Sequence, residues 1–512
     1  MQLQIQSNQK MELPLIFSIT LTILLSIFVI YKRPRHRHRL PPSPGVALPI
    51  IGHLHLLKQP LHRTFHRLSQ STGPIFSLKL GFHRAVVVSS PSLVDECFTK
   101  NDVALANRPI IIIDKYIGYN HSTMSGAPYG ELWRSLRRIA AQEILSGGRL
   151  TAFSEIRHDE VKSMLLSLVE KHTLQQKKSL SEKESRGFSE VELRPMLSKL
   201  TFNNMMTMLA AKRLDEESEE GRRLRRIINE VFEMAQASNP QDFLPFLQWI
   251  DYGGFTKKVA ALAEEMDELF QELVDEHRRE KRNSMIGHLL ELQRSDLTIK
   301  GLLMSLLFGG TDTSAVTIEW AMSLLLNHPH ILKKAREELE TKIGHHRLVV
   351  EEDLSNLPYL HNIILETFRL FPAGPLLVPH RSSSDCKVGG YDILSGTLVF
   401  VNAWAIHRDP DLWEDATSFK PERFEGVEVE AHKLMPFGTG RRACPGVGLA
   451  QRLVGLALAA MVQCFEWERV GVEEVDLGEG DGLTMPKLEP LRAMCRPMEI
   501  MNKFVVVEGT KI

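Results

Sequence analysis

Cysteine is scarce in this chain. The five present, Cys97, Cys386, Cys444, Cys464 and Cys495, are odd in number, widely spaced and contain no CxxC pair. That argues against a disulfide framework and a multi-cysteine zinc site, and it suits a reducing compartment such as the cytosol. Net charge is nearly absent too: 62 Lys and Arg stand against 63 Asp and Glu, a formal balance of −1. No global field therefore draws the chain to nucleic acid or to an acidic polymer. Internal repeats and long low-complexity runs are missing, which removes repeat architectures and extended disorder. What is present is 512 residues, 43% of them hydrophobic, enough for one large core or for two or three ordinary domains.

The nineteen residues from Leu13 to Tyr31, dominated by Leu, Ile, Phe and Val, carry no charge. At 1.5 Å per residue they roughly match a ~30 Å hydrocarbon core. Residues 1–12 then read as a tail and 13–31 as a single transmembrane anchor, with Pro14 where a missing helical N–H costs little. A cleaved signal peptide is the rival reading, but Lys32-Arg33-Pro34-Arg35-His36-Arg37-His38-Arg39 follows in place of a small-residue cleavage site. The basic run predicts that everything after it stays cytosolic, facing lipid headgroups and not nucleic acid. Pro41, Pro42 and Pro44 stiffen the end of a basic, proline-rich linker over 32–45. No composition break divides the remaining 46–512.

Helix-period segments dominate that remainder: 155–171, 193–213, 219–237, 257–281, 297–327 and 330–343. Strand-like runs are short and fall near 75–90 and 386–401, and the polar stretch 175–189 reads as a surface loop. The fold class is mainly α, an α+β domain with minor sheets.

The most informative stretch is Met435-Pro-Phe-Gly-Thr-Gly-Arg-Arg-Ala-Cys-Pro-Gly446, followed by the apolar run Val447 to Trp467. Gly438 and Gly440 permit a tight backbone bend. Cys444 is expected at the start of a helix with Pro445 at its first position, where the helix dipole, Arg441 and Arg442 all favour thiolate. A thiolate so placed can be a metal ligand or a nucleophile; a lone buried cysteine beside a turn is the plainer alternative. The string matches FxxGxRxCxG through Phe437, Gly440, Arg442, Cys444 and Gly446. It resembles the haem-binding loop of the cytochromes P-450, which implies haem b with Cys444 as the axial iron ligand, and Phe437, Gly438, Arg442 and Gly446 around it. Thiolate donation is what promotes O–O cleavage in that class.

Two further elements carry the resemblance. Glu366 and Arg369 are three apart and share a helix face, a weak signal alone, but Pro421-Glu422-Arg423-Phe424 stands in order before the cysteine loop. The family implies that Glu366, Arg369 and Arg423 form a buried structural ion network behind the haem. Within the apolar segment 302–317 lie Gly309-Gly310-Thr311-Asp312-Thr313-Ser314. Adjacent glycines each cost about 1 kcal/mol in a helix interior, and close packing would explain them but not Asp312. The segment looks like the (A/G)Gx(D/E)T(T/S) stretch of the P-450 central helix. That implies room for dioxygen at the glycines, with Thr313 and Asp312 as the catalytic pair that bonds the activated oxygen and relays protons.

By the same comparison, Trp133 and Arg137 match a WxxxR that binds a haem propionate, and His380 and Arg442 take the other propionate-facing positions. The resemblance runs from Leu40 to the end and is closest to plant A-type enzymes of family 81. It implies a single-pass endoplasmic reticulum enzyme that hydroxylates an aromatic specialised metabolite with O2. NADPH-derived electrons would come from NADPH-cytochrome P-450 reductase docking near Lys433, Arg441 and Arg442. A ring-forming or phenol-coupling oxidase, a reductase-independent isomerase and a non-enzymatic haem carrier are the alternatives. Ile112, Phe308, Gly309, Leu376, Leu377 and Met485 are the candidate walls of an apolar, moderately sized substrate pocket.

Overall fold

The computed structural model describes residues 38–179, 187–213, 219–236 and 239–501, together with Ser18, Leu21 and Thr22. The expected anchor at 13–31 and the basic run at 32–37 thus lie almost wholly outside the described residues. Two described stretches are long and apolar enough to cross a membrane, Asp296–Asn327 and Val447–Cys464, but 67% and 72% of their apolar windows are buried. They are core helices of the domain.

The helices that position the site are α1 (Pro91–Phe98), α2 (Ile112–Tyr116), α3 (Glu131–Ile139), α4 (Ser154–Ser179), α5 (Arg194–Ala210), α6 (Phe255–Arg279), α7 (Asp296–Gly310), α8 (Asp312–Asn327), α9 (Pro358–Leu370) and α10 (Val447–Cys464); α4 to α8 fall close to the expected segments, whereas α1, α2 and α3 lie outside them. Helix α4 runs eight residues past the expected end, into the stretch read as a loop. The single expected helix 297–327 is two helices, broken at Thr311, whose φ and ψ are −90° and −77°. Two glycines weaken the helix there. The Thr311 and Thr313 hydroxyls then bond back to the Leu307 and Gly309 carbonyls at 2.9 and 2.8 Å, a pattern that bends helices.

Three small sheets flank the helices. β1 (Ile75–Leu80), β2 (His83–Val88), β7 (Leu398–Val401) and β4 (His380–Arg381) lie side by side in that order, with β2 and β7 parallel. β5 (Cys386–Val388) pairs with β6 (Tyr391–Ile393). β3 (Ser189–Glu192), β9 (Arg492–Pro497) and β8 (Phe465–Arg469) form a sheet that helical periodicity hides. The run read as helical through Trp467 ends at Cys464, because Phe465-Glu-Trp-Glu-Arg469 alternates buried and more exposed side chains, the strand period.

The proline-rich stretch read as a linker is docked at its end. Ser77 donates its N–H to Pro42 O (2.7 Å) and its hydroxyl to Pro41 O (2.8 Å). Arg39 and Asp392 exchange two bonds of 2.8 Å. Prolines that lack N–H groups suit the outer edge of β1, where only their carbonyls are used. The main core joins α8, α9 and α10, and a second cluster joins α5, α6 and α7. The break at Thr311 lies where the two meet.

Candidate active site

The cysteine loop is a tight backbone structure. Gly438 and Gly440 have φ of 68° and 70°, and a Cβ on Gly440 would lie 2.7 Å from Asp102 Oδ1 and 3.0 Å from Phe98 Cβ. Cys444 donates its N–H to Phe437 O at 2.8 Å, and Phe437 packs edge-on against Phe368 of α9. Helix α10 begins at Val447 with Gly446 as its N-cap, so Cys444 precedes the helix and Pro445 is not its first residue. The Gly446 N–H itself points at Cys444 Sγ, 3.3 Å away. Burial nevertheless pushes the thiol above its ordinary pKa, with Gly446 N–H and Arg137 opposing. Binding of a metal ion would draw the thiol into its thiolate form.

The two arginines of the loop divide their work. Arg441 pairs with Asp102 (3.0 Å) and Lys433 with Glu430 (3.0 Å). Arg442 turns inward, donating to Ala106 O (2.7 Å), Met124 O (3.3 Å) and Ala127 O, and covers the Trp133 ring at 4.4 Å. Of the three cations expected at a reductase-docking face, Arg442 thus points into the domain, while Lys433 and Arg441 stay at the surface, each beside one acid. Trp133 itself donates Nε1–H to Met124 O (3.2 Å), so in this arrangement it supports Arg442 and offers no free donor. Arg137 Nη2 donates to Ala443 O at 2.6 Å, beside Cys444.

His380 is buried, donates Nδ1–H to Leu105 O (2.7 Å) and lies against Phe98. Burial first, then Arg108 and Arg442, push its pKa well below the usual histidine range. Arg108 is a residue that no motif placed at the site. Its Nη1 donates to Val378 O (2.6 Å) and Pro379 O (2.9 Å), while its Nε is buried without a partner. Burial and Arg442 pull its pKa down to about 9, and burial and Arg137 pull Arg442 down to about 10.

Behind the loop, Glu366 accepts two bonds from Arg369 (2.7 and 2.8 Å), one from Arg423 Nε (2.9 Å) and one from Lys420 N–H (2.9 Å). Arg369 also donates to the carbonyls of His407 (2.7 Å), Ala416 (2.6 Å) and Ser418 (3.1 Å). His407, a second missed residue, accepts the Met435 N–H on Nε2 at 3.0 Å. Burial holds it neutral, with its pKa down to about 3. A continuous path of hydrogen bonds thus leads from Glu366 to the first residue of the cysteine loop.

On α7 and α8 the paired glycines differ. A Cβ on Gly310 would meet Met205 Sδ of α5 at 2.5 Å, whereas one on Gly309, which is exposed, meets nothing within 4 Å. Packing explains Gly310 and open space explains Gly309. Gly310→Ala is expected to cost about 1–3 kcal/mol through overpacking. Gly309→Ala should leave the thermal midpoint level or higher, since alanine favours helix by about 1 kcal/mol, while lowering oxygen-dependent turnover. Melting curves of the two variants check this, and the reverse order of stability would refute it. Asp312 Oδ2 accepts the Thr484 hydroxyl at 2.5 Å; burial raises its carboxyl pKa, opposed by Thr484 and Arg194. A carboxyl raised toward neutrality can hold a proton and release it.

Of the candidate pocket walls, Phe308 stacks obliquely on Phe232 at 4.7 Å, and Ile112 is nearly buried beside the loop that Arg442 closes. Leu376 and Leu377 are half-buried, and Leu377 Cδ1 lies 3.8 Å from where a Gly438 Cβ would be. Met485 does not line the cleft: it is fully buried in the main core, its backbone held by Ala373 and by Trp320 Nε1 (2.7 Å). Its neighbour Thr484, bonded to Asp312, takes its place.

Comparison with known proteins decides the family. The cytochrome P-450 family model matches residues 41–491. The chain belongs to the cytochrome P-450 family. It is 55% identical to a family-81 cytochrome P-450 of Catharanthus roseus over 96% of this chain and 98% of that protein. It is 50% identical to the isoflavone 3'-hydroxylase of Medicago truncatula (96% and 98%) and to the (+)-piperitol/(+)-sesamin synthase of Sesamum radiatum (97% and 99%). A zebra fish cytochrome P-450 structure with progesterone shares the fold, with a TM-score of 0.72 at 23% identity, covering 86% of this chain and 100% of that one.

The protein is a haem-thiolate monooxygenase with haem b as its cofactor, and the residues present fit that group. Among the described residues no cluster of three or more His, Cys, Asp or Glu could hold a bare metal ion, so a lone cysteine suits an iron that brings its own equatorial nitrogens. Arg442 stands within electrostatic reach of both Arg108 and Arg137, Arg137 lies beside Cys444, and Arg108 Nε is buried without a partner, which suits a cofactor that carries two carboxylates. When bound, the haem supplies dioxygen activation.

Proposed function

We propose that the protein is a membrane-anchored monooxygenase that hydroxylates an aromatic plant specialised metabolite, of the flavonoid, isoflavonoid, xanthone, lignan or related phenolic class. It would use O2 and electrons passed from NADPH by a membrane-bound P-450 reductase. The observation that carries this reading is the half-identity, over nearly the whole chain, to relatives named for oxidation of phenolics. Cys444 would hold the haem iron, and Arg108, Arg137 and Arg442 would hold its propionates. Phe308, Leu376 and Leu377 present an apolar wall to the aromatic ring. With haem bound, Thr313, whose hydroxyl proton goes to Gly309 O, would offer its oxygen as an acceptor, and Asp312, bonded by Thr484, would hold and release a proton. A relative named a synthase and not a hydroxylase at the same identity favours one second reading, oxidation that ends in ring closure or phenol coupling.

Membrane association has its own support in the described domain. Val46, Ile50, Phe82, Phe246, Trp249 and Ile250 are exposed, Val46 by 86% and Trp249 by 89%. They belong to one surface, because Gly81 N–H bonds Ile51 O, Phe82 N–H bonds Phe243 O, and the Phe82 and Phe246 rings meet edge to face. A contiguous apolar patch of this kind marks an interaction face, and it would lie on the cytosolic side of the endoplasmic reticulum bilayer that the anchor enters. The test is turnover of a panel of plant phenolics in microsomes with and without NADPH and reductase. The expected result is NADPH-dependent addition of one oxygen atom, and Thr313→Ala should consume NADPH with several-fold more peroxide per product. Turnover without NADPH, or unchanged coupling in Thr313→Ala, would overturn the respective assignments.

A further inference from the structure

The segment between Ala106 and Ala127 is a loop closed at both ends by one side chain. Arg442 donates to Ala106 O at its start and to Met124 O and Ala127 O at its finish, and Trp133 adds a second bond to Met124 O. Inside it, Tyr119, Asn120 and His121 have φ of 50°, 55° and 58°. Three successive non-glycine residues in the left-handed region are costly, and such strain persists only where surrounding contacts enforce it.

The contacts here converge on Asp114 of α2. His121 Nδ1 lies 2.6 Å from Asp114 Oδ2, and the His121 N–H bonds the Asp114 carbonyl (3.3 Å). Asn120 N–H bonds Lys115 O (2.9 Å) and Ser122 N–H bonds Gly118 O (3.0 Å). The carboxylate sits between two glycines: a Cβ on Gly118 would be 2.2 Å from its Oδ1, and one on Gly126 would be 2.1 Å from its Oδ2. The slot admits Asp114 only because both positions lack side chains. The helix that carries Asp114 begins at Ile112, a candidate wall of the substrate pocket, and the far side of the loop carries the carbonyls that hold Arg442.

We infer that Asp114 and His121 form a clasp that fixes this loop in the shape the substrate's ring meets, so that they are positioning residues for substrate recognition in the monooxygenase reading on which this rests. Neither touches the reacting atoms. Losing the clasp frees the left-handed turn to relax and lets α2 and Ile112 shift, which loosens the apolar wall while the cysteine loop keeps its iron.

Two iron ligands of different reach test this on the full-length protein in microsomes: imidazole, which needs only the iron, and 4-phenylimidazole, whose ring also needs the apolar wall. Dissociation constants come from the Soret shift. His121→Ala is expected to weaken 4-phenylimidazole about tenfold, the scale of a lost hydrogen bond to a charged group, and imidazole less than about twofold. His121→Asn, which tolerates a left-handed backbone and still carries an N–H for the carboxylate, should restore most of the loss. If His121→Ala does not load haem, Asp114→Asn, which keeps the shape that fits between the glycines, is expected to shift the same ratio in the same direction. Equal weakening of both ligands, no weakening of either, or no rescue by His121→Asn would overturn the clasp. Failure of the wild-type protein to give a Soret shift with imidazole would instead overturn the haem reading itself.

Discussion

Cys444→Ala is expected to abolish the long-wavelength, thiolate-type absorption of the reduced carbon monoxide complex and, with it, oxygen-dependent turnover. Cys444 is where the chain supplies a soft sulfur donor beside Arg137. An alanine methyl cannot ligate iron, and water in its place does not donate as thiolate does. The other cysteines offer no substitute. Cys97, Cys464 and Cys495 are buried in the core, with thiols raised to about 12 in the last two and higher still in Cys97. Cys386, half-buried at the start of β5, is raised to about 11. Replacing each of these four by serine or alanine should therefore leave the band where it is. Absorption of reduced, carbon monoxide-treated microsomes from the five variants reads this directly. A normal band in Cys444→Ala would sink the ligand assignment, and a lost band in any of the other four, with haem still bound, would point to the wrong cysteine.

How much of this was legible beforehand divides along physical lines. Helix spans and the strands β1 and β2 were readable because their periodicities repeat over enough residues. The sheet of β3, β8 and β9 was not, since Phe465-Glu-Trp-Glu-Arg469 continues an apolar helix without a breaker. The residues of the site were legible where a fixed spacing carried them, as with Cys444, Arg442, Glu366 and Arg369. Their partners were not. His407 acts through a backbone carbonyl and one ring nitrogen, Arg108 through bonds to residues about 270 positions away, and Thr484 through a contact 172 positions distant. No local pattern encodes such pairings. Charge direction was also misread: Arg441 and Arg442 are adjacent and cationic, but the chain aims one at Asp102 on the surface and the other into the domain.

The clearest consequence of those hidden pairings is the expected behaviour of Glu366→Ala. Removing this carboxylate leaves Arg369, itself fully buried, with its ion partner gone, and strips Arg423 and the Lys420 N–H of an acceptor as well. Breaking a buried pair from one side costs about 3–5 kcal/mol, a large part of the stability of an ordinary domain. The damage should not stay local, because Arg369 also grips the His407 carbonyl, and His407 in turn holds the Met435 N–H that opens the cysteine loop. The expected outcome is therefore a protein that accumulates poorly and, where it accumulates, carries little haem and shows a shifted or absent thiolate-type band. Glu366→Gln is the sharper probe. It keeps the size and one acceptor oxygen but presents an amide N–H₂ to a guanidinium that can only donate, so it should fall between wild type and alanine. Double replacement Glu366→Gln with Arg369→Met removes both charges, and should recover part of the lost midpoint while still leaving His407 unheld and haem loading low. That separation decides the role of the network. If the double variant regained both stability and haem, the pair would matter only to itself, and the path from Glu366 through His407 to Met435 would carry no support for the cysteine loop.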